Sequence, residues 1–129
     1  MAVIYGVGID IVRVERMAAN LQRFGQRFAR RILTENEQQD FAGSPRPAHF
    51  LAKRFAAKEA AAKALGLGIS QGLSFRQIGV GHDQRGKPRL EYSGRAAAFC
   101  REQGIGPSHL SLADEQDYAI AFVTLEARL

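Results

Sequence analysis

The segment from His49 to Leu65 constrains this chain most. It reads as a long helix stopped by Gly66 and Gly68, and its waist is built of Ala56, Ala57, Ala60, Ala61, Ala62 and Ala64. A helix this slim can pack much closer to a sheet than one carrying large side chains. Among the alanines stand Lys58, Glu59 and Lys63, beside Phe55. Glu59 and Lys63 are spaced i, i+4 and share a face. Such pairs commonly serve only helix solubility. Here the small neighbours would keep an acid and a base near the packed side.

The sheet for this helix is written before and after it. Residues 3–12 form a compact apolar run that reads as a buried strand. Candidate strands follow at Leu73 to Gly81 and Pro88 to Tyr92, joined by the turn-like Asp83-Gln84-Arg85-Gly86. His109 to Ala113 and Tyr118 to Glu126 alternate around Asp114-Glu115-Gln116-Asp117, a hairpin signal. Thr34 opens a short helix, with Glu37 completing a capping box, and Gly94 to Gln103 is another helix ended by Gly104. With 129 residues, the expected fold is α+β. It is one domain, 1–129, whose largely antiparallel sheet packs against the long Ala-rich helix.

Charge is unevenly placed. Arg13, Arg16, Arg23, Arg27, Arg30 and Arg31 face one acid, Glu15, and so account for the whole surplus of +5. On a helix, Arg16, Arg23, Arg27 and Arg30 share a side next to an apolar stripe of Met17, Leu21, Phe24, Phe28 and Ile32. Gly25 is placed to break that helix in two. The basic side is either a solvated face or a docking surface for an acidic partner. The opening apolar run is too short and too polar to cross a bilayer, and it lacks the basic front of a signal peptide. One cysteine, Cys100, permits no intrachain disulfide. The expectation is a soluble, cytoplasmic protein that binds neither membrane nor nucleic acid.

Asp10 is the first candidate for chemistry, because a carboxylate in an apolar strand is costly unless paired. A strand end facing a cleft, a salt bridge or a metal would each resolve it. Asp10 and Glu59 together could offer two oxygens to magnesium, which takes one or two carboxylates plus phosphates and waters. Gly6-Val7-Gly8 has Ile11 where a dinucleotide fingerprint needs its third glycine. Gly66-Leu67-Gly68 is followed by no Gly-Lys-Ser/Thr. These glycines are read as serving turns and close packing. Cys100 is read as a small core residue, and His109 either flanks its strand or serves the site.

The chain resembles the holo-[acyl carrier protein] synthase family of phosphopantetheinyl transferases nearly end to end. The resemblance is carried by Gly8-Ile9-Asp10-Ile11-Val12 with Arg16, by residues 27–33, and above all by Phe50 through Gly66 with its Lys58-Glu59-Ala60. Gly86-Lys87-Pro88 and His109-Leu110-Ser111-Leu112 extend it. It implies transfer of 4'-phosphopantetheine from coenzyme A to a serine of apo acyl carrier protein, releasing adenosine 3',5'-bisphosphate, in fatty acid biosynthesis. Asp10 and Glu59 would be the magnesium ligands, and Lys63 would contact the phosphates. Arg54, Lys58 and Lys87 are candidates for the nucleotide end of coenzyme A, and Glu59 for removing the serine proton. His109 would lie near the active site, and Arg16 would meet the acidic carrier protein. The resemblance also implies a homotrimer with sites between subunits. Ala113-Asp114 stands where members often carry Ser/Thr followed by His, so no role passes there.

Two other readings compete. A nucleic-acid-binding module would suit the arginine run, but the chain shows neither aromatic-basic interleaving nor a helix-turn-helix pattern. A coenzyme A-binding subunit with decayed catalysis would bind without turnover, yet both candidate metal carboxylates are present.

Overall fold

The computed structural model describes residues 1–70 and 72–128. Strand β1 (Ala2–Arg13) leads into helices α1 (Val14–Phe24), α2 (Gln26–Ile32), α3 (Glu35–Ala42) and α4 (Pro47–Leu65). After a 3₁₀ turn at Phe75–Gln77 come β2 (Ile78–His82), β3 (Pro88–Tyr92), α5 (Gly94–Gln103), β4 (Ile105–Asp114) and β5 (Tyr118–Arg128). The α+β class and the antiparallel pairing are as expected, but the described strands divide into two sheets. One is three-stranded in the order β1-β5-β4, and the other is the β2-β3 hairpin. The expected strand over Leu73 to Gly81 is therefore shorter, its first half taken by the 3₁₀ turn.

Helix α4 lies across the inner face of β1 and β5. Alternation on β5 sends Ala119, Ala121, Val123, Leu125 and Ala127 inward to meet it. On β1 the inward positions are Gly6, Gly8, Asp10 and Val12. A methyl group at Gly8 would run into the carbonyl oxygen of Ala60, and one at Gly6 into that of Ala64. The glycines and alanines thus bring helix backbone onto strand backbone, which is their packing role. Gly66 ends α4 in the left-handed conformation, φ 81° and ψ 16°, and its N–H donates to the Ala62 and Lys63 carbonyls.

Strand β1 is not buried on both faces, as its continuous apolar run suggested. Ile9 and Ile11 are each 60% exposed on the outer face, beside their partners Phe122 (43%) and Ile120 (37%) on β5. The basic segment breaks at Gly25, φ 62° and ψ −146°, as its sequence foretold. Phe24, the last residue of α1, is half-exposed, with the Arg23 guanidinium over its ring. Among the described residues no helix is long and apolar enough to cross a membrane.

Candidate active site

The Gly8–Ala60 contact determines what happens one pleat further along β1. Asp10 is the next inward residue, and it emerges beside the face of α4 that carries Glu59 and Lys63. The Lys63 Nζ donates to Asp10 Oδ1 at 3.1 Å and to the Ile9 carbonyl at 2.9 Å. Glu59 is held above the usual carboxylate range, first by partial burial and then by the charge of Asp10, with Lys63 and Arg16 opposing. Arg16, from the first turns of α1, stacks over the Phe55 ring with Cζ 5.1 Å from its centroid. Four residues from β1, α1 and α4 thus converge: two carboxylates, an ammonium and a guanidinium.

Asp10 and Glu59 suit a hard cation. Their mutual repulsion is what a metal would relieve, and no third His, Cys, Asp or Glu completes a metal-holding group with them among the described residues. That donor set matches magnesium, which draws its remaining oxygens from substrate phosphate and water.

A second, basic site lies elsewhere. A pocket of about 550 Å³ is lined by Lys53, Arg54, His82, Lys87, Ser111 and Asp114, among others. Lys87 reaches it because the Asp83 carboxylate accepts the N–H groups of Arg85 (2.8 Å) and Lys87 (2.9 Å), closing the β2-β3 turn. The His82 imidazole is pulled down from its ordinary pKa, first by burial and then by the charge of Arg54. Arg54 is 5% exposed and lies over the Phe50 ring at 4.3 Å. Its Nε has no hydrogen-bond partner and sits 3.5 Å from Glu37 Oε2.

Lys58 corrects its sequence reading. It is fully buried, and its ammonium donates to Glu37 Oε1 (2.7 Å), Phe75 O (3.0 Å) and Ile78 O (2.5 Å). Those acceptors account for all three protons, so Lys58 is a structural bolt between α4, α3 and β2 and is no nucleotide contact. Burial pushes its pKa down, while Glu37 opposes the shift. His109 pairs with Glu126 at 2.5 Å on β4 and β5. Its register partner is Thr124, which places it on the outer face of the sheet whose inner face carries Asp10. One chain therefore brings Asp10, Glu59, Lys63 and Arg16 together, and Arg54 with Lys87, but leaves His109 apart from both groups.

Sequence reasoning missed Glu37 beyond its capping role, and it also missed Lys53, His82 and Ser111. A signal for Glu37 existed: a lysine on the apolar side of an alanine helix demands a buried counter-charge.

Comparison with known proteins covers nearly the whole chain. The model of the 4'-phosphopantetheinyl transferase superfamily matches residues 6–123. A holo-[acyl-carrier-protein] synthase of Nitrosococcus oceani is 60% identical over 96% of this chain and 80% of its own length. The crystal structure of the Neisseria meningitidis synthase superposes with a TM-score of 0.90 at 49% identity, covering 95% of this chain and 98% of that one. The Bacillus anthracis synthase, solved in complex with CoA (3',5'-ADP), gives 0.81 at 40% identity, over 97% and 98% of the two chains. The match spans the strand that carries Asp10, the helix that carries Glu59 and Lys63, and the basic pocket, and by it the chain belongs to the holo-[acyl-carrier-protein] synthase family of the 4'-phosphopantetheinyl transferase superfamily.

Proposed function

We propose that this protein transfers 4'-phosphopantetheine from coenzyme A to a serine of apo acyl carrier protein, with magnesium, and releases adenosine 3',5'-bisphosphate. The observation that carries the reading is the convergence of Asp10, Glu59 and Lys63 where β1 touches α4. Asp10 and Glu59 would hold the metal, which when bound supplies Lewis-acid stabilisation of phosphate charge. Lys63, half-exposed, is positioned to share that charge from the protein side. The serine Oγ attacks the β-phosphorus and the bond to the nucleotide oxygen breaks. Adenosine 3',5'-bisphosphate leaves with the electron pair. Glu59, directly or through water, takes the serine proton.

Arg54 and Lys87, with Lys53 beside them, suit the nucleotide end of coenzyme A. Arg54 and Glu59 are five residues apart on α4, about 140° around its axis. The phosphate-reacting and nucleotide-holding groups of one copy thus face different ways. A homotrimer with sites between subunits would join them, and it would cover the exposed Ile9, Ile11 and Phe122 and bring in His109. Arg16, whose charge acts on Glu59, opens a basic segment continued by Arg23 on α1 and Arg27 on α2, and that segment suits an acidic carrier protein. A neighbouring pocket lined by Phe28, Phe55, Ile69 and Phe75 offers that protein an apolar foothold. One continuous core draws on both sheets, in keeping with a single transferase domain over 1–129. We place the reaction in the cytoplasm, where the free Cys100 is at home.

The test is chromatographic detection of adenosine 3',5'-bisphosphate from coenzyme A. Release should require both apo carrier and magnesium and stop with a chelator. Asp10→Asn and Glu59→Gln should each cost on the order of 100-fold or more in kcat. Full activity of Glu59→Gln at saturating magnesium contradicts both roles given to that residue.

A further inference from the structure

The mechanism leaves one buried charged group unused. Glu37 is 1% exposed, and each of its oxygens is fixed by donors from a different element. Oε1 accepts from the Thr34 N–H (2.9 Å) and from Lys58 (2.7 Å), while Oε2 accepts from the Val80 N–H (2.9 Å). The carboxylate is thereby clamped between the α3 cap, α4 and β2. Oε2 lies 3.5 Å from the Nε of Arg54, whose Cζ stands over the Phe50 ring 4.3 Å from its centroid. Arg54 is 5% exposed, makes no hydrogen bond that fixes its guanidinium among the described residues, and lines the basic pocket. A ring beneath it and an immobile carboxylate at its Nε edge hold this cation, and the charge of Asp40 also acts on it. The arrangement leaves the guanidinium's terminal nitrogens for a ligand.

We propose that Glu37 is a positioning residue of the nucleotide pocket. It holds the Arg54 guanidinium in the orientation that receives the 3'-phosphate of coenzyme A, the one charged group at the nucleotide end that the diphosphate does not supply. The proposal rests on the reading of Arg54 as a nucleotide contact. A planar guanidinium pairs with phosphate through paired N–H groups, so an orientation error costs affinity even when the charge is kept. Glu37 touches no substrate and should act on the binding of one substrate feature only.

The experiment compares coenzyme A with 3'-dephospho-coenzyme A as donors, measuring kcat and KM for each together with Tm. Wild type should prefer coenzyme A through KM, and Arg54→Met should remove most of that preference. Glu37→Gln should raise KM for coenzyme A about fivefold, leave KM for the dephospho donor within about twofold, and keep kcat, as loss of positioning and not of charge requires. In the Arg54→Met background, Glu37→Gln should change the donor preference no further. Glu37→Gln alone leaves Lys58 buried without its counter-charge. If that unfolds the protein, Glu37→Gln with Lys58→Met removes the orphan and should show the same donor-specific change. Preference unaffected by Glu37→Gln but lost in Arg54→Met overturns the role of Glu37. Equal losses with both donors, accompanied by a lower Tm, reduce Glu37 to scaffolding and also overturn it. Preference intact in Arg54→Met overturns the underlying reading of Arg54.

Discussion

At the scale of single residues, the positions that decide the site are those with the least side chain. Gly8 lets the Ala60 carbonyl touch β1, and that contact sets the height at which Asp10 meets Glu59 and Lys63. Gly8→Ala should cost about 3 kcal/mol of stability by overpacking, read as a lower urea midpoint at unchanged slope. Activity should fall further than stability explains, because α4 must retreat from Asp10; wild-type stability and turnover would show that the contact is loose. Cys100 gives an independent check of the core. Burial pushes its thiol pKa up, with Arg101 opposing, so less thiolate is present at pH 8 than for a free cysteine. Iodoacetamide should label the native protein at least about tenfold more slowly than the urea-unfolded chain. Equal rates would mean an open helix α5.

At the scale of elements, short-range chemistry was legible and long-range pairing was not. The Thr34–Glu37 capping box formed as read, because it needs only four consecutive residues. The alanine helix and the last hairpin formed for the same local reason. Lys58 was misjudged because its three acceptors come from α3, the 3₁₀ turn and β2, which helix spacing alone cannot reveal. Strand β1 was misjudged on one face because an unbroken apolar run says that both faces avoid water without saying what covers each. The convergence of Asp10 with Glu59 was legible through the family resemblance, and its physical cause, the glycine contact, only in the fold. The two arginine helices carry the prediction proper to this scale. Arg23→Glu with Arg27→Glu should raise KM for the acyl carrier protein about tenfold and flatten its salt dependence, with KM for coenzyme A unchanged. An unchanged carrier KM would move the docking surface elsewhere.

At the scale of the whole molecule, two features look incomplete in one copy: an apolar outer sheet face, and a carboxylate–lysine cluster and a basic pocket that point apart. Phe122→Asp tests their connection. The charge is tolerated on a lone chain, where Phe122 is exposed, but not inside an interface. Light scattering should find a trimer for wild type and a folded, inactive monomer for the variant. An active monomer would separate assembly from catalysis. The central claim concerns the reaction itself, and the most direct measurement is the intact mass of an apo acyl carrier protein after incubation with this protein, coenzyme A and magnesium. The account predicts a gain of one phosphopantetheine, abolished by chelator and by Glu59→Gln. An unchanged carrier mass with several apo carriers and a folded enzyme would contradict it.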